Sequence, residues 1–269
     1  MGALAYRSAA TPLGSMARTN VLGVGISVTN LQDAIAHCDA LIRSDRKGYV
    51  CVADVHSVML GVSDGGFREI LNRSLMTTPD GMPLVWIGGL RGHAAMGRVY
   101  GPDLMMELCR DSAAKGYGHF LYGGKPGVVE KLRDRLKEQF PELRIVGTYT
   151  PPFKKLNASE TAGLMAQVAR ARPDVFWVGL GAPKQERFMA EYLGKLDCKL
   201  MVGVGAAFDF HAGMVREAPR WLHLTGLQWL HRLAQEPRRL GRRYLTCIPA
   251  FMWNVGLQES GLRNFRMET

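Results

Sequence analysis

The stretch DVFWVGLGAPKQERFMAEYL, residues 174–193, decides the fold. Its opening, DVFWVGLG, is a short apolar run rich in valine and aromatic residues, as in a strand buried on both faces. It runs directly into APKQERFMAEYLGKL (182–196), a helix whose start is marked by Pro183, a residue suited to the first helical position. LMVGVGAAFDF (200–210) then returns to strand composition. A strand, a helix and a second strand joined by short loops imply parallel strands with helices laid across the sheet.

The same alternation extends upstream. VLGVGISV (21–28) and YVCVADV (49–55) read as strands, separated by the helix LQDAIAHCDALI with Leu31, Ala34, Ile35, Cys38, Leu41 and Ile42 at helical spacing. VMLGVSDGGFREILNRS continues as broken helix, and GPDLMMELCRDSAAKG is a helix closed by Gly116. HFLYGG is a strand, GVVEKLRDRLKEQF an amphipathic helix and RIVGTYT another strand. NASETAGLMAQVARARP opens with Asn157 and Glu160 at capping-box spacing. After about Pro219 the rhythm changes, and Trp221, Leu224, Leu227, Trp229, Leu230 and Leu233 recur at helical spacing among basic residues. The expected architecture is α/β: a mostly parallel, Rossmann-like sheet with helices on both faces, plus a C-terminal helical basic appendage. Residues 1–19 form a flexible N-terminus, 20–215 the α/β domain and 216–269 the aromatic-rich appendage. A chain cut after residue 215 is expected to keep its fold.

Composition narrows the function. With 269 residues, 47% hydrophobic and 22% charged, the chain suits one large domain or a domain with an appendage. Five scattered cysteines without a CxxC pair point to reduced thiols in a cytosolic setting. The N-terminus lacks the apolar segment of a signal peptide, and no run reaches the roughly 18–20 apolar residues of a spanning helix. Neither export nor a membrane crossing is expected. The net charge of +10 is concentrated at the end, where nine Arg and no Lys follow residue 215. Guanidinium groups grip phosphates bidentately. A nucleic-acid partner would need a recognisable module or basic residues threaded with stacking aromatics, and neither is present.

In open α/β sheets ligands bind beyond the carboxyl ends of the strands. YGGKPG (122–127) is either a tight turn or a loop whose amides meet a phosphate; it lacks the Walker A spacing. In VGLGAPKQERF either Lys184 and Gln185 form a solvated first turn, or their amides face the space above the sheet and their side chains add a charge and an amide there. VGVGAAFDFHAG (202–213) is a loose glycine fingerprint after the last strand, without the ribose-binding acid about twenty residues on, which excludes a nicotinamide dehydrogenase. No Asp-x-Asp, Cys/His cluster or GxSxG elbow occurs. Among seven histidines, His56 beside Asp54 at a strand end stands out. SLMTTPDGMPLVWIGG (74–89) places Asp80 on a Pro/Gly corner, either as turn chemistry or as a base at a sheet edge.

TPDGMPLVW, GRVYGPDLM, LYGGKPGVVE, VGLGAPKQERF, VGVGAAFDFHAG and APRWLHLTGLQWLHRLAQEPRRLGRRY, in this order, resemble the WecG/TagA/CpsF glycosyltransferases, family 26. The resemblance implies a peripheral enzyme on the cytoplasmic face of the inner membrane. It would move a sugar from a UDP-sugar to a saccharide on polyprenyl diphosphate, with inversion and with neither metal nor other cofactor. Its partners would be those two substrates and an anionic inner-leaflet surface; nucleic acid is excluded, and there is room for a homo-oligomer.

Carried residue by residue, the resemblance makes Asp80 the general base, with Arg98 and Gln185 beside it in catalysis. It assigns the donor to Asp54 and His56, to Gly123, Gly124 and Lys125, to Gly181, Pro183, Lys184 and Gln185, and to Asp209. Val52 and Asp54 depart from the family's Thr and Asn. The VHSVML segment leans toward exopolysaccharide glucosyltransferases, hence glucose as donor sugar; N-acetylmannosaminyl or N-acetylmannosaminuronyl transfer is the alternative. Met82, Leu84, Val85 and Trp86 are expected to desolvate Asp80 and so suit it to base catalysis near neutral pH. Arg216, Arg220, Arg232, Arg238, Arg239, Arg242 and Arg243 are expected at the acceptor diphosphate or lipid head groups. Trp221, Trp229, Tyr244, Phe251 and Trp253 are the expected interfacial anchors.

Overall fold

A computed structural model describes residues 16–44, 46–152, 154–216, 222, 228–235 and 237–267. The chain opens on β1 (Arg18–Val21) and β2 (Val24–Ser27), which pair antiparallel. The stretch expected as one strand over 21–28 is therefore split. Leu22 and Gly23 turn at φ 54° and 87°, and the Gly23 amide donates to Asn20 Oδ1 at 2.8 Å. Asn72 fixes the turn from outside, donating to Gly23 O and accepting from the Gly25 amide. That distant side chain is why local composition did not disclose the corner.

The main body follows as α1 (Leu31–Arg43), β3 (Gly48–Ala53), α2 (Val55–Ser63), α3 (Gly65–Arg73), β4 (Met76–Pro79), α4 (Met82–Leu90) and α5 (Gly101–Lys115). Then come β5 (Gly118–Gly123), α6 (Val128–Gln139), β6 (Arg144–Tyr149), α7 (Ala158–Ala171) and β7 (Val175–Gly179). α8 (Lys184–Tyr192), β8 (Leu200–Gly203) and α9 (Ala207–His211) complete it, followed by α10 (Gln228–Gln235) and α11 (Pro237–Glu259). The capping box at Asn157 and Glu160 forms, and Gly116 closes α5 at φ 70°.

Six strands make one sheet in the order β4-β3-β8-β7-β5-β6, and every pairing is parallel. Successive residues of β7 serve opposite faces. Phe176 and Val178 join a core with Phe120, Tyr122 and Phe188, while Val175 and Trp177 join one with Leu104, Leu132 and Val202. Two covered faces require apolar residues at both phases of the strand, which is the origin of the unbroken apolar run.

The C-terminal helix closes onto this body. α11 packs against α2, and Phe251 is 1% exposed within the core. Gln258 accepts from the Leu22 amide at 3.0 Å and donates to Asn20 O at 3.1 Å, and Asn20 Nδ2 donates to Phe265 O at 2.6 Å. Arg91, at the end of α4, pairs with Glu259. Phe251 is thus a core residue and not the interfacial anchor expected of it. The phase of α11 turns Phe251 toward α2 and leaves Trp253, two residues on, 70% exposed. A chain cut after residue 215 would lose these contacts.

Candidate active site

Read across the sheet, the carboxyl ends of β4, β3, β8, β7 and β5 deliver Asp80, Asp54, Gly205, the Gly181–Gln185 loop and Gly123–Lys125 in spatial order. At about 4.8 Å per strand spacing this crevice floor is roughly 19 Å long. Ligands of open parallel sheets bind in such a place.

Asp80 follows edge strand β4. Its amide extends the ladder by donating to Ala53 O at 2.9 Å, and the Val99 amide donates to Pro79 O at 2.8 Å, which lays the Arg98 segment alongside. Arg98 Nε donates to Asp80 O at 2.5 Å, and its Nη2 lies 3.4 Å from Asp80 Oδ1. The guanidinium stacks 4.4 Å above the Tyr100 ring. The side chains of Asp80 and Arg98 are 25% and 17% exposed, so both are partly reachable from solvent. Of the four apolar residues expected to desolvate Asp80, Leu84 is buried in the core, Met82 and Val85 are half-buried and Trp86 is 55% exposed. Arg98 orients the acid. A carboxylate so held and reachable can accept a proton from a bound hydroxyl.

At the end of β3, Asp54 caps α2, its Oδ1 accepting from the Ser57 amide at 2.8 Å and the Ser57 hydroxyl at 3.0 Å. Val52 and His56 flank it, both half-buried. Asp209 lies half-buried in α9.

Beyond β7, the Ala182–Pro183 peptide is cis and α8 begins at Lys184, so Pro183 caps the helix from one residue before the expected position. Lys184 is exposed, whereas Gln185 is buried. The Gly181 amide donates to Gln185 Oε1 at 3.1 Å, and Gln185 Nε2 donates to Glu186 Oε1 at 2.9 Å. Glu186 is fully buried, and burial, reinforced by the Asp54 charge, pushes its carboxyl up to about 7. Glu186 was not among the residues singled out from sequence. The signal was its place on α8 three residues before the core residue Met189, on the inward face of the helix.

In the glycine loop, Gly123 adopts φ 138°, and a Cβ there would stand 2.5 Å from Gly179 O. The Gly124 amide donates to that same oxygen at 3.1 Å. These two glycines therefore seat the loop against β7, and the Gly124 amide is committed there instead of to a phosphate. Lys125 is exposed above it.

Of the arginines expected at the acceptor, Arg216 is exposed at the end of the α/β body. Arg220, like Trp221, lies outside the described residues. Arg232 falls on α10, and Arg238, Arg239, Arg242 and Arg243 on α11; their side chains also lie outside the described part. Trp229 meets Tyr244 edge-on at 5.6 Å. Leu245, Met252 and Trp253 on α11, and Trp86 and Leu90 on α4, are exposed apolar side chains. Among the described residues no helix is long and apolar enough to cross a membrane. None of the His, Cys, Asp and Glu side chains described form a group of three or more able to hold a metal ion.

Residues 19–264 match the sequence profile of the glycosyl transferase WecG/TagA/CpsF family. An N-acetylglucosaminyldiphosphoundecaprenol N-acetyl-beta-D-mannosaminyltransferase of Bacillus subtilis strain 168 is 29% identical over 204 residues, covering 76% of this chain and 77% of the relative. The enzyme of that same name from Bacillus spizizenii strain W23 is 28% identical over 228 residues, covering 84% of this chain and 86% of the relative. A parallel sheet with an acid–arginine pair at its carboxyl edge, and a profile match across nearly the whole chain, lead to one conclusion: this chain belongs to the WecG/TagA/CpsF family and is a glycosyltransferase.

Proposed function

We propose that this chain transfers an N-acetylmannosaminyl group from a UDP-activated donor to an N-acetylglucosaminyl diphosphate carried on a polyprenol. The observation that carries the mechanism is the Asp80–Arg98 pair, 3.4 Å apart at the carboxyl end of β4, the same side of the sheet from which α8 and Gln185 start. Asp80 takes the proton of the acceptor hydroxyl as that oxygen attacks the anomeric carbon, and UDP leaves from the opposite face. Inversion follows, and a β-linked product from an α-linked donor agrees with the names of the two relatives. The glucose expectation finds no support in those names, which favour N-acetylmannosaminyl transfer.

The leaving diphosphate carries the developing charge. The Gln185 backbone amide is committed to Gly181 O at 3.1 Å, so the charge of Lys184 and of the arginines that follow residue 215 is what meets it. The acceptor's lipid enters from a membrane surface. The exposed apolar side chains of α4 and α11 support that docking, because the Arg91–Glu259 pair joins the ends of these two helices and α4 begins two residues after Asp80. Juxtamembrane arginines add on the order of 1 kcal/mol each at an anionic leaflet. On this reading the enzyme works at the cytoplasmic face of the membrane without spanning it.

The test is a donor panel. UDP-N-acetylmannosamine, its uronic acid, UDP-N-acetylglucosamine and UDP-glucose are offered with a short-chain N-acetylglucosaminyl diphospholipid in excess EDTA. Product with the first donor alone is expected. A preference for UDP-glucose would return the donor to the sugar first expected. Product only when Mg²⁺ replaces EDTA would refute stabilisation by protein groups alone, and no product from any donor would overturn the reading.

A further inference from the structure

Glu186 is enclosed completely at the start of α8, although carboxylates are among the groups least often buried. Its Oε1 accepts from Gln185 Nε2 at 2.9 Å, while its Oε2 is buried with no hydrogen-bond partner among the described residues. Burial and, less strongly, the Asp54 charge disfavour its ionised form, while the Gln185 amide and its own backbone N–H favour it. An unsatisfied oxygen in the interior destabilises a fold, so its presence calls for a reason.

The reason lies in its neighbour. The side-chain amide of Gln185 has two orientations of nearly identical shape that exchange donor for acceptor. Here the Gly181 amide requires an oxygen at one end, and the acceptor Glu186 Oε1 requires a nitrogen at the other. Two glycines leave room for the amide in this position. A Cβ on Gly203 would stand 3.1 Å from Gln185 Nε2, and one on Gly205 would stand 3.3 Å from Gln185 Oε1. Nε2 carries a second hydrogen besides the one given to Glu186. We propose that Glu186 is a positioning residue that holds the Gln185 amide in one orientation, so that this remaining N–H donates to an oxygen of the bound sugar nucleotide. The inference rests on the glycosyl-transfer reading for the identity of that ligand, but the orientation of the amide does not.

Two variants separate positioning from mere packing. Glu186→Gln keeps an acceptor for Gln185 Nε2; Glu186→Met fills a similar volume without one. Steady-state transfer should fall at least tenfold in kcat for Glu186→Met, with KM for the acceptor within twofold, while Glu186→Gln stays within about threefold of wild type. Combining Glu186→Met with Gln185→Ala should be no slower than Gln185→Ala alone, as for two residues acting through one group. Selective ¹⁵N-glutamine labelling of the full chain reads the amide directly. The Gln185 side-chain pair, assigned by its loss in Gln185→Ala, should be exchange-protected in wild type and Glu186→Gln and unprotected in Glu186→Met. A Glu186→Met variant with the wild-type rate and a protected amide would overturn the proposal, as would a Glu186→Gln variant slowed tenfold. If Glu186→Met does not fold, the Glu186→Gln rate and its amide protection decide the matter. Should wild type transfer no sugar at all, the functional reading fails while the protection pattern still decides the role of Glu186.

Discussion

Raising the pH from 5 to 8 should weaken the wild-type fold relative to Glu186→Gln. The buried carboxyl titrates at about 7 against an ordinary 4.5, chiefly because burial disfavours its charge. A folded-state value above the unfolded one means that the native chain holds the proton more tightly. The resulting stability is fully present below pH 4.5 and is lost as pH rises through about 7. The slope approaches about 1.4 kcal/mol per pH unit in the middle of that window, so wild type should lose on the order of 2–3 kcal/mol between pH 5 and 8 that the glutamine variant, which does not titrate, retains. The glutamine also keeps the contact to Gln185, so the difference reports the ionisation. Urea unfolding of both proteins at half-unit pH steps, with linear extrapolation, measures it. Curves that stay parallel within about 0.5 kcal/mol across this range would show that Glu186 ionises in the folded protein as it does in the unfolded chain, and the burial argument would fall.

Asp80→Asn should lower transfer by about 10²–10⁴-fold, the usual cost of losing a general base, while UDP binding and melting temperature hold; a rate above a tenth of wild type would remove Asp80 from that role. Phe251→Ala should destabilise the fold by about 3–5 kcal/mol in urea titration, since it opens a cavity between α11 and α2. A loss below about 1 kcal/mol would mean that α11 is only loosely docked. Met252→Ser combined with Trp253→Ser should leave melting unchanged, because both side chains are exposed, yet reduce co-sedimentation with anionic vesicles most visibly at high salt, where the electrostatic share is screened. Undiminished sedimentation would place the membrane contact elsewhere.

The amino-acid sequence by itself determined the type of most elements and the parallel sheet, because these depend on short-range periodicity and composition. An apolar run such as Val175–Gly179, too short for a helix and followed by one, has few other ways to be satisfied than as an inner strand. The Pro/Gly corner bearing Asp80 and the α8 start bearing Gln185 were visible for the same local reason. Tertiary structure decided what depends on distant partners. Asn72, far along the chain, fixes the corner that splits the first strand in two, and Arg98 braces Asp80. The phase of α11, which sends Phe251 inward and Trp253 outward, is chosen by the surface of α2. Glu186 shows the division most sharply. A glutamate in the first turn of a helix ordinarily faces water and the helix dipole, and only the closing of β3 and β8 over α8 turns it into a buried acid clamped to its neighbour. Burial is a collective property of the packed chain, and no local pattern of residues fixes it.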